Sequence, residues 1–228
     1  KIDILVTPLV TIGSGVAVSA LLAPTLGAIA MKVGDLIMLA TNLQPFWMGI
    51  AVSVLVGVAL TLPISSAAIC AAFGLTGLAG GAAVAGCCAQ MVGFAVMSFR
   101  ENKWGGLVSQ GIGTSMLQMG NIIKNPRIWI APIVTSAITG PLATCLFKLQ
   151  MNGTPVSSGM GTCGLVGQIG VYTGWMNDIE AGSKTAVTAK DWVGLILISF
   201  VLPAVLCPLI NMVVRKLGWV KDGDMTLS

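Results

Sequence analysis

An uncharged stretch of 64 residues, from 36 to 99, constrains the fold of this chain more than any other feature. It contains no Lys, Arg, Asp, Glu or His. One crossing of the hydrocarbon core needs about 20 mostly apolar residues, so the stretch is long enough for two or three membrane segments. Charged residues make up only 9% of the whole sequence, whereas a soluble domain has about 25%. The chain is therefore predicted to be an integral membrane protein.

Apolar segments outside this stretch extend the prediction to an all-α, polytopic fold with about six to eight membrane segments. A shorter segment is expected between Pro63 and a glycine-rich turn at 77–81, and a loop is expected at Lys32 and Asp35. The whole chain, 1–228, is expected to form a single transmembrane domain. The predicted spans are 4–31, 45–62, 82–99, 128–147 and 192–214.

Two glycine-rich segments, 104–123 and 149–177, carry many polar side chains but no charge. Irregular backbone at membrane depth is tolerated only where protein or a water-filled cavity surrounds it, so we predict two re-entrant hairpins. Basic residues cluster at 100–103, 124–127 and 215–221. Placing these clusters in the cytoplasm gives a topology in which the two hairpins enter the membrane from opposite faces.

Two short motifs match each other as proline, an aliphatic residue, two serines and a small residue. They are Pro-Ile-Ser-Ser-Ala at 63–67 and Pro-Val-Ser-Ser-Gly at 155–159. Repeated broken helices often form a transport site where the repeats meet. Proline frees a backbone carbonyl, and paired hydroxyls supply donors and acceptors, so the motifs are interpreted as two half-sites of one polar cavity. The alternative is chance similarity in a sequence rich in Gly, Ser, Pro and Ala.

Uncharged amides inside apolar segments give a further indication of a site, because a buried amide needs hydrogen-bond partners. Amides and hydroxyls together can bind a neutral, hydroxyl-rich solute, although hydrogen bonding between helices explains the same residues. Gln118 and Asn121 are second choices for such a site. The first-choice residues are Ser65, Ser66, Gln90, Ser157, Ser158, Thr162 and Gln168.

Several functions are excluded or disfavoured by what the sequence lacks. No acidic residue lies inside a predicted span, which argues against a proton-coupled pump. The chain has no histidine, so Ser-His-Asp and Cys-His catalysis are impossible, and its six cysteines lack the spacing of a zinc site. Residues 159–164 match Gly-x-Gly-x-x-Gly, but no preceding strand is visible, so nucleotide binding is not expected. We expect no catalytic residue, metal or cofactor of its own.

Four stretches of the sequence, 62–69, 86–98, 125–130 and 159–170, resemble a known family. They are similar to the EIIC membrane subunits of the bacterial phosphotransferase system, specifically the second EIIC family, over nearly the whole chain. The resemblance implies a homodimeric, multi-pass protein of the inner membrane that binds and translocates sugar. It also implies separate EIIB and EIIA partners that deliver phosphate to the sugar. Members usually extend further at the N-terminus, so an upstream portion is expected to be missing here.

Three functions follow from the residues and the resemblance. The first is translocation of a small neutral polar solute, with a sugar as the first choice. The alternatives are a membrane sensor or regulatory subunit that binds a ligand without moving it, and a transporter of an anionic or lipid-like metabolite bound by backbone amides at helix ends. Nucleic acid is not an expected partner, because the basic residues lie in short clusters between apolar segments.

Overall fold

The computed structural model describes residues 3–227. Within this range the chain is helical, without a β-strand, and a single isolated backbone pair joins Gly77 to Met151. The α-helices are α1 (Asp3–Leu43), α2 (Pro45–Thr61), α3 (Ser66–Ala72), α4 (Gly77–Met97), α5 (Phe99–Val108), α6 (Met119–Lys124), α7 (Ile130–Pro141), α8 (Pro155–Ser158), α9 (Val166–Glu180), α10 (Ala189–Ile196) and α11 (Leu202–Lys216). Tighter or wider helical turns occupy Ser109–Gly113, Ser115–Gln118, Pro126–Trp129, Leu142–Leu146, Cys163–Leu165 and Leu197–Val201.

Helix α4 lies at the centre of the molecule, with nearly all of its side chains buried against α2, α7 and α11. Its glycines allow this packing, because a Cβ on Gly81 would lie 1.8 Å from the carbonyl oxygen of Leu149. A Cβ on Gly86 would likewise lie 1.9 Å from the carbonyl oxygen of Ser53. The predicted turn at 77–81 is therefore wrong. These glycines form the first turns of α4, where the missing side chain admits a neighbouring backbone.

The predicted loop at Lys32 and Asp35 is also wrong, because α1 continues through both residues to Leu43. Charged side chains leave the backbone hydrogen bonds of a helix intact, so they do not end it. The break comes at Gln44, and Pro45 then begins α2. Proline lacks an N–H and restricts the residue before it, which explains why the helix ends here.

Three helical stretches are long and apolar enough to cross a membrane: Gly77–Met97, Pro126–Leu146 and Ala189–Lys216. Pro45–Thr61 is a shorter apolar helix. Many large apolar side chains on the surface are exposed, as expected where lipid is the solvent. The all-helical membrane class is thereby confirmed, whereas the number of segments and the two re-entrant hairpins stay predictions.

Both glycine-rich segments have an irregular backbone. The first directly follows Lys103, whose φ of 51° interrupts α5, and continues through short helical turns to α6. The second contains the four-residue helix α8 and a left-handed residue, Leu165, immediately before α9. Positive φ is rare for residues other than glycine. A continuous helix would have paired its backbone carbonyls and amides internally. The two irregular segments instead place such groups beside α4.

Candidate functional site

Within residues 3–227, every polar side chain assigned to the buried interior is uncharged. Serine, threonine, glutamine and asparagine are the residue types present. These side chains donate and accept hydrogen bonds but carry no charge to balance an ion. Such an interior suits a neutral polar molecule better than a charged one, because a buried charge without a partner is costly.

One buried polar network is centred on Gln90 of α4, which is fully buried. Its Oε1 accepts hydrogen bonds from Trp129 Nε1 at 2.8 Å and from Thr61 Oγ1 at 3.3 Å. Its Nε2 donates to Ser136 Oγ at 3.4 Å. The Thr61 hydroxyl also lies 2.8 Å from that of Ser115. Gln90 therefore joins α2, α4 and α7 and has its own hydrogen-bonding capacity largely satisfied by protein.

A second polar contact joins the two glycine-rich segments. Thr162 Oγ1 donates to the carbonyl oxygen of Gly111 at 2.5 Å, and both residues lie beside α4. The neighbouring Gly161 has a φ of 54°, and a Cβ there would lie 2.6 Å from the Cβ of Cys87. The segments thus meet at one point in the interior, with Thr162 as the side chain between them.

A third polar group surrounds the thiol of Cys88 on α4. Gln168 Nε2, on α9, donates to Cys88 Sγ at 3.2 Å, while Gln168 Oε1 is buried and has no hydrogen-bond partner among residues 3–227. Ser199, on the turn Leu197–Val201, lies beside the same thiol, and its hydroxyl has no other hydrogen-bond partner within the described chain. Buried polar atoms are normally paired, so an unpaired amide oxygen and a hydroxyl with only a thiol beside it are unusual. They offer hydrogen bonds that a polar ligand could complete.

The two proline-serine-serine motifs meet, since α3 and α8 are in contact. Ser66 Oγ donates to the carbonyl oxygen of Gly159 at 2.7 Å, and Ser158 Oγ donates to that of Leu75 at 2.7 Å. Both serines are buried. The second serine of each motif therefore binds backbone of the opposite region and fixes the two motifs together.

The first serine of each motif has a local role. Ser65 is exposed and accepts a hydrogen bond from the backbone N–H of Ala68 at 3.1 Å, which caps α3. The hydroxyls of Ser157 and Thr154 lie 2.9 Å apart at the start of α8. The structure thus brings the two motifs together, but their hydroxyls already have protein partners.

Gln118 and Asn121, the second choices for the site, hold the C-terminal tail through a chain of hydrogen bonds. Gln118 Nε2 donates to Gln110 Oε1 at 2.9 Å and to the carbonyl oxygen of Met225 at 3.0 Å. Asn121 Nδ2 donates to Gln118 Oε1 at 2.9 Å and to the carbonyl oxygen of Thr226 at 3.0 Å. These two side chains lie apart from the Cys88 group and bind the tail of the chain.

A polar cleft of about 470 Å³ opens beside the start of α10. Lys184 lies in it, forms a salt bridge of 2.8 Å to Asp191 and approaches the ring of Trp175 at 5.2 Å. Asn152 Nδ2 donates to the carboxylate of Asp178 on the same cleft. The cleft carries charges that the interior lacks, so it differs in chemistry from the buried polar groups.

Sequence reasoning missed the hydroxyls and the indole that complete these networks. The signal for Ser199 was present, because it is the only serine or threonine between 192 and 210. Trp129 and Ser115 were recognisable as residue types but not as members of this network. Trp129 lies 39 positions from its partner Gln90, and Ser115 lies 54 positions from its partner Thr61. The missed members are Thr61, Ser115, Trp129, Ser136 and Ser199.

An all-helical chain with apolar spans, an exposed apolar surface and an uncharged polar interior is an α-helical membrane protein. A family model described as "Phosphotransferase system, EIIC" matches residues 1–227, and the chain belongs to this family. Membership confirms the predicted resemblance and indicates a component of sugar transport, in a system where EIIC proteins work with EIIB and EIIA. Comparison with curated proteins and with solved structures gives no match.

Proposed function

We propose that this chain is the membrane subunit that binds and translocates a small neutral polar solute, most simply a sugar. Two findings support the proposal: membership of the EIIC family and a buried polar interior without charge. The observation that carries it is the buried Gln168 Oε1 beside Cys88, which has no partner among the described residues, with the Ser199 hydroxyl, which has no partner there other than the thiol. A solute hydroxyl can donate to the first and accept from the second.

The proposed solute position lies next to Gln168, Thr162 and Ser199. Thr162 belongs to it because its bond to Gly111 joins the two irregular segments that would have to part for a solute to pass. The remaining candidates are engaged with protein groups and would meet the solute only after those bonds open. They are Ser65, Ser66, Gln90, Gln118, Asn121, Ser157 and Ser158.

The family also supports finer proposals about the assembly. We propose a homodimer in the bacterial cytoplasmic membrane, with several membrane segments and the two glycine-rich segments as re-entrant hairpins. EIIB and EIIA partners would supply phosphate to the solute, since these are the proteins with which EIIC subunits work. The polar cleft beside Lys184 is the proposed entrance, because it exposes hydrogen-bonding groups to solvent next to the interior.

Reconstituted vesicles test the proposal directly. The full chain in proteoliposomes is expected to admit a labelled neutral sugar, and the Gln168→Leu variant is expected to show much lower uptake at low sugar concentration. Lys124→Gln is the matched control, because Lys124 is exposed and lies outside the Cys88 group. Binding of a sugar without uptake, with or without an EIIB partner, would indicate a sensor. Uptake of organic acids or lipids but not sugars would contradict a neutral substrate.

A further inference from the structure

A small cleft of about 220 Å³ lies where the end of α4 meets the second half of α11. It is separate from the Cys88 group and from the polar cleft beside Lys184. Apolar side chains line it together with two guanidinium groups and an amide, Arg100 coming from the start of α5 and Asn211 and Arg215 from α11. The lining side chains include Val96, Arg100, Pro208, Asn211, Met212 and Arg215.

Asn211 is the first reason to assign a ligand to this cleft. Its side chain is only 4% exposed, and its Oδ1 has no hydrogen-bond partner within residues 3–227. An amide in an otherwise apolar helix is expected to be paired. Because Asn211 lines the cleft, a hydrogen-bond donor placed there would supply the missing partner.

The two arginines are the second reason, and they differ from each other. Arg215 Nη2 forms a salt bridge of 2.7 Å to Glu101, and Asp222 contacts the same guanidinium. Arg100 is exposed and takes part in none of the salt bridges found among the described residues. A free guanidinium is well matched to a phosphate, which it binds through two parallel hydrogen bonds.

We propose that this cleft binds the headgroup of an anionic phospholipid, a phosphate diester next to a hydroxyl, as in phosphatidylglycerol. Arg100 pairs with the phosphate, and the amide of Asn211 accepts a hydrogen bond from the headgroup hydroxyl. Basic pockets between membrane helices bind anionic headgroups in this way.

The surroundings of the cleft favour a lipid over a free phosphorylated polyol, which has the same polar chemistry. Leu209, Met212 and Val213 are each about half exposed along α11, at 49%, 51% and 58%. An apolar face of this kind offers a path for acyl chains next to the headgroup position. A soluble sugar phosphate has no group to cover it.

The test compares thermal unfolding of the full chain in nanodiscs of phosphatidylglycerol and of phosphatidylcholine. Phosphatidylglycerol is expected to raise the midpoint by roughly 5 °C, because a ligand of the folded state stabilises it by mass action. Arg100→Gln and Asn211→Leu are expected to lose this rise. Lys124→Gln removes an exposed positive charge outside the cleft and is expected to keep it.

Each other outcome overturns the assignment. An equal rise in all variants, or an equal loss in Lys124→Gln, would indicate general attraction to a negative surface. Stabilisation by glycerol phosphate in phosphatidylcholine discs would assign the cleft to a free phosphate ester. Arg100 is exposed, so its variant folds even if Asn211→Leu does not. Sugar uptake is not measured here, so the result is independent of the proposed function.

Discussion

Replacing glutamine by leucine is expected to lower stability at one position of this chain, Gln90, and to weaken ligand binding at another, Gln168. At Gln90 the amide is satisfied by protein, through Trp129, Thr61 and Ser136. At Gln168 one amide end bonds weakly to a thiol, and the other end is buried without a partner. Leucine is close in size to glutamine, so the comparison changes hydrogen bonding more than packing.

The expected magnitudes follow from which groups are left unpaired. Gln90→Leu leaves the indole N–H of Trp129 without its acceptor, which costs about 1–3 kcal/mol of folding free energy. At roughly 2–4 °C per kcal/mol, the unfolding midpoint should fall by several degrees. Gln168→Leu removes an acceptor that is already unpaired, so its stability should be unchanged or slightly higher.

Ligand affinity should respond differently from stability, because Gln168→Leu should weaken solute binding while leaving the fold stable. If Gln168 binds the solute by one hydrogen bond of about 1.4 kcal/mol, its loss weakens affinity roughly tenfold. Thermal unfolding without ligand gives the stability of each variant, and equilibrium binding of the transported sugar gives its affinity. A Gln168→Leu protein that is as unstable as Gln90→Leu and binds sugar normally would refute the assignment of the unpaired amide to a solute.

Three further predictions, the first with a matched control, test the packing of α4, the hold on the C-terminal tail and the contact between the glycine-rich segments. Gly81→Ala should lower the free energy of unfolding by about 3 kcal/mol, because its Cβ would lie 1.8 Å from a backbone oxygen. Gly13→Ala, inside α1 with no neighbour within 4 Å, should leave the unfolding midpoint unchanged or raise it slightly, because alanine favours a helix more than glycine does. The Glu101 carboxylate accepts a hydrogen bond from the backbone N–H of Met225 at 2.8 Å. Glu101→Ala should therefore release the C-terminal tail and speed tryptic cleavage at the exposed Lys221. Thr162→Val should raise amide hydrogen exchange in 109–113, since it removes the bond to that segment.

Each of these three predictions has a contradicting outcome. Equal midpoints for the two alanine variants would mean that α4 does not pack as closely as described. Unchanged tryptic cleavage in the Glu101 variant would show that the other tail contacts suffice to hold it. Unchanged exchange in the Thr162 variant would mean that the two glycine-rich segments are fixed independently of their shared hydrogen bond.

Proline positions made α2 predictable to within a residue, since the expected span 45–62 became Pro45–Thr61. Pro45 starts the helix, and Pro63 follows its end, so local backbone restrictions set both limits. The glycines at 77–81 misled the prediction for the opposite reason. They were interpreted locally as a turn, but their use depends on the backbone of Leu149, which sequence spacing does not reveal.

The polar interior was predictable as a set of residue types and not as a set of partners. Gln90, Thr162 and Gln168 were recognised because amides and hydroxyls are conspicuous in apolar segments. Their hydrogen-bond partners depend on tertiary contacts. The position of the C-terminal tail does too, since Gln118 bonds to a backbone carbonyl 107 positions away. Whether Gln90 or Gln168 has spare hydrogen-bonding capacity therefore became visible only in the folded chain.

The most direct test of the central claim is a thermal-shift screen of the purified full chain and its Gln168→Leu variant. The compounds are neutral sugars and polyols, organic acids, and phospholipids. A neutral, hydroxyl-rich compound is expected to stabilise the wild-type chain and to have little effect on the variant. Stabilisation by acids or lipids alone, or equal stabilisation of both proteins by a sugar, would contradict a neutral-solute site at Gln168.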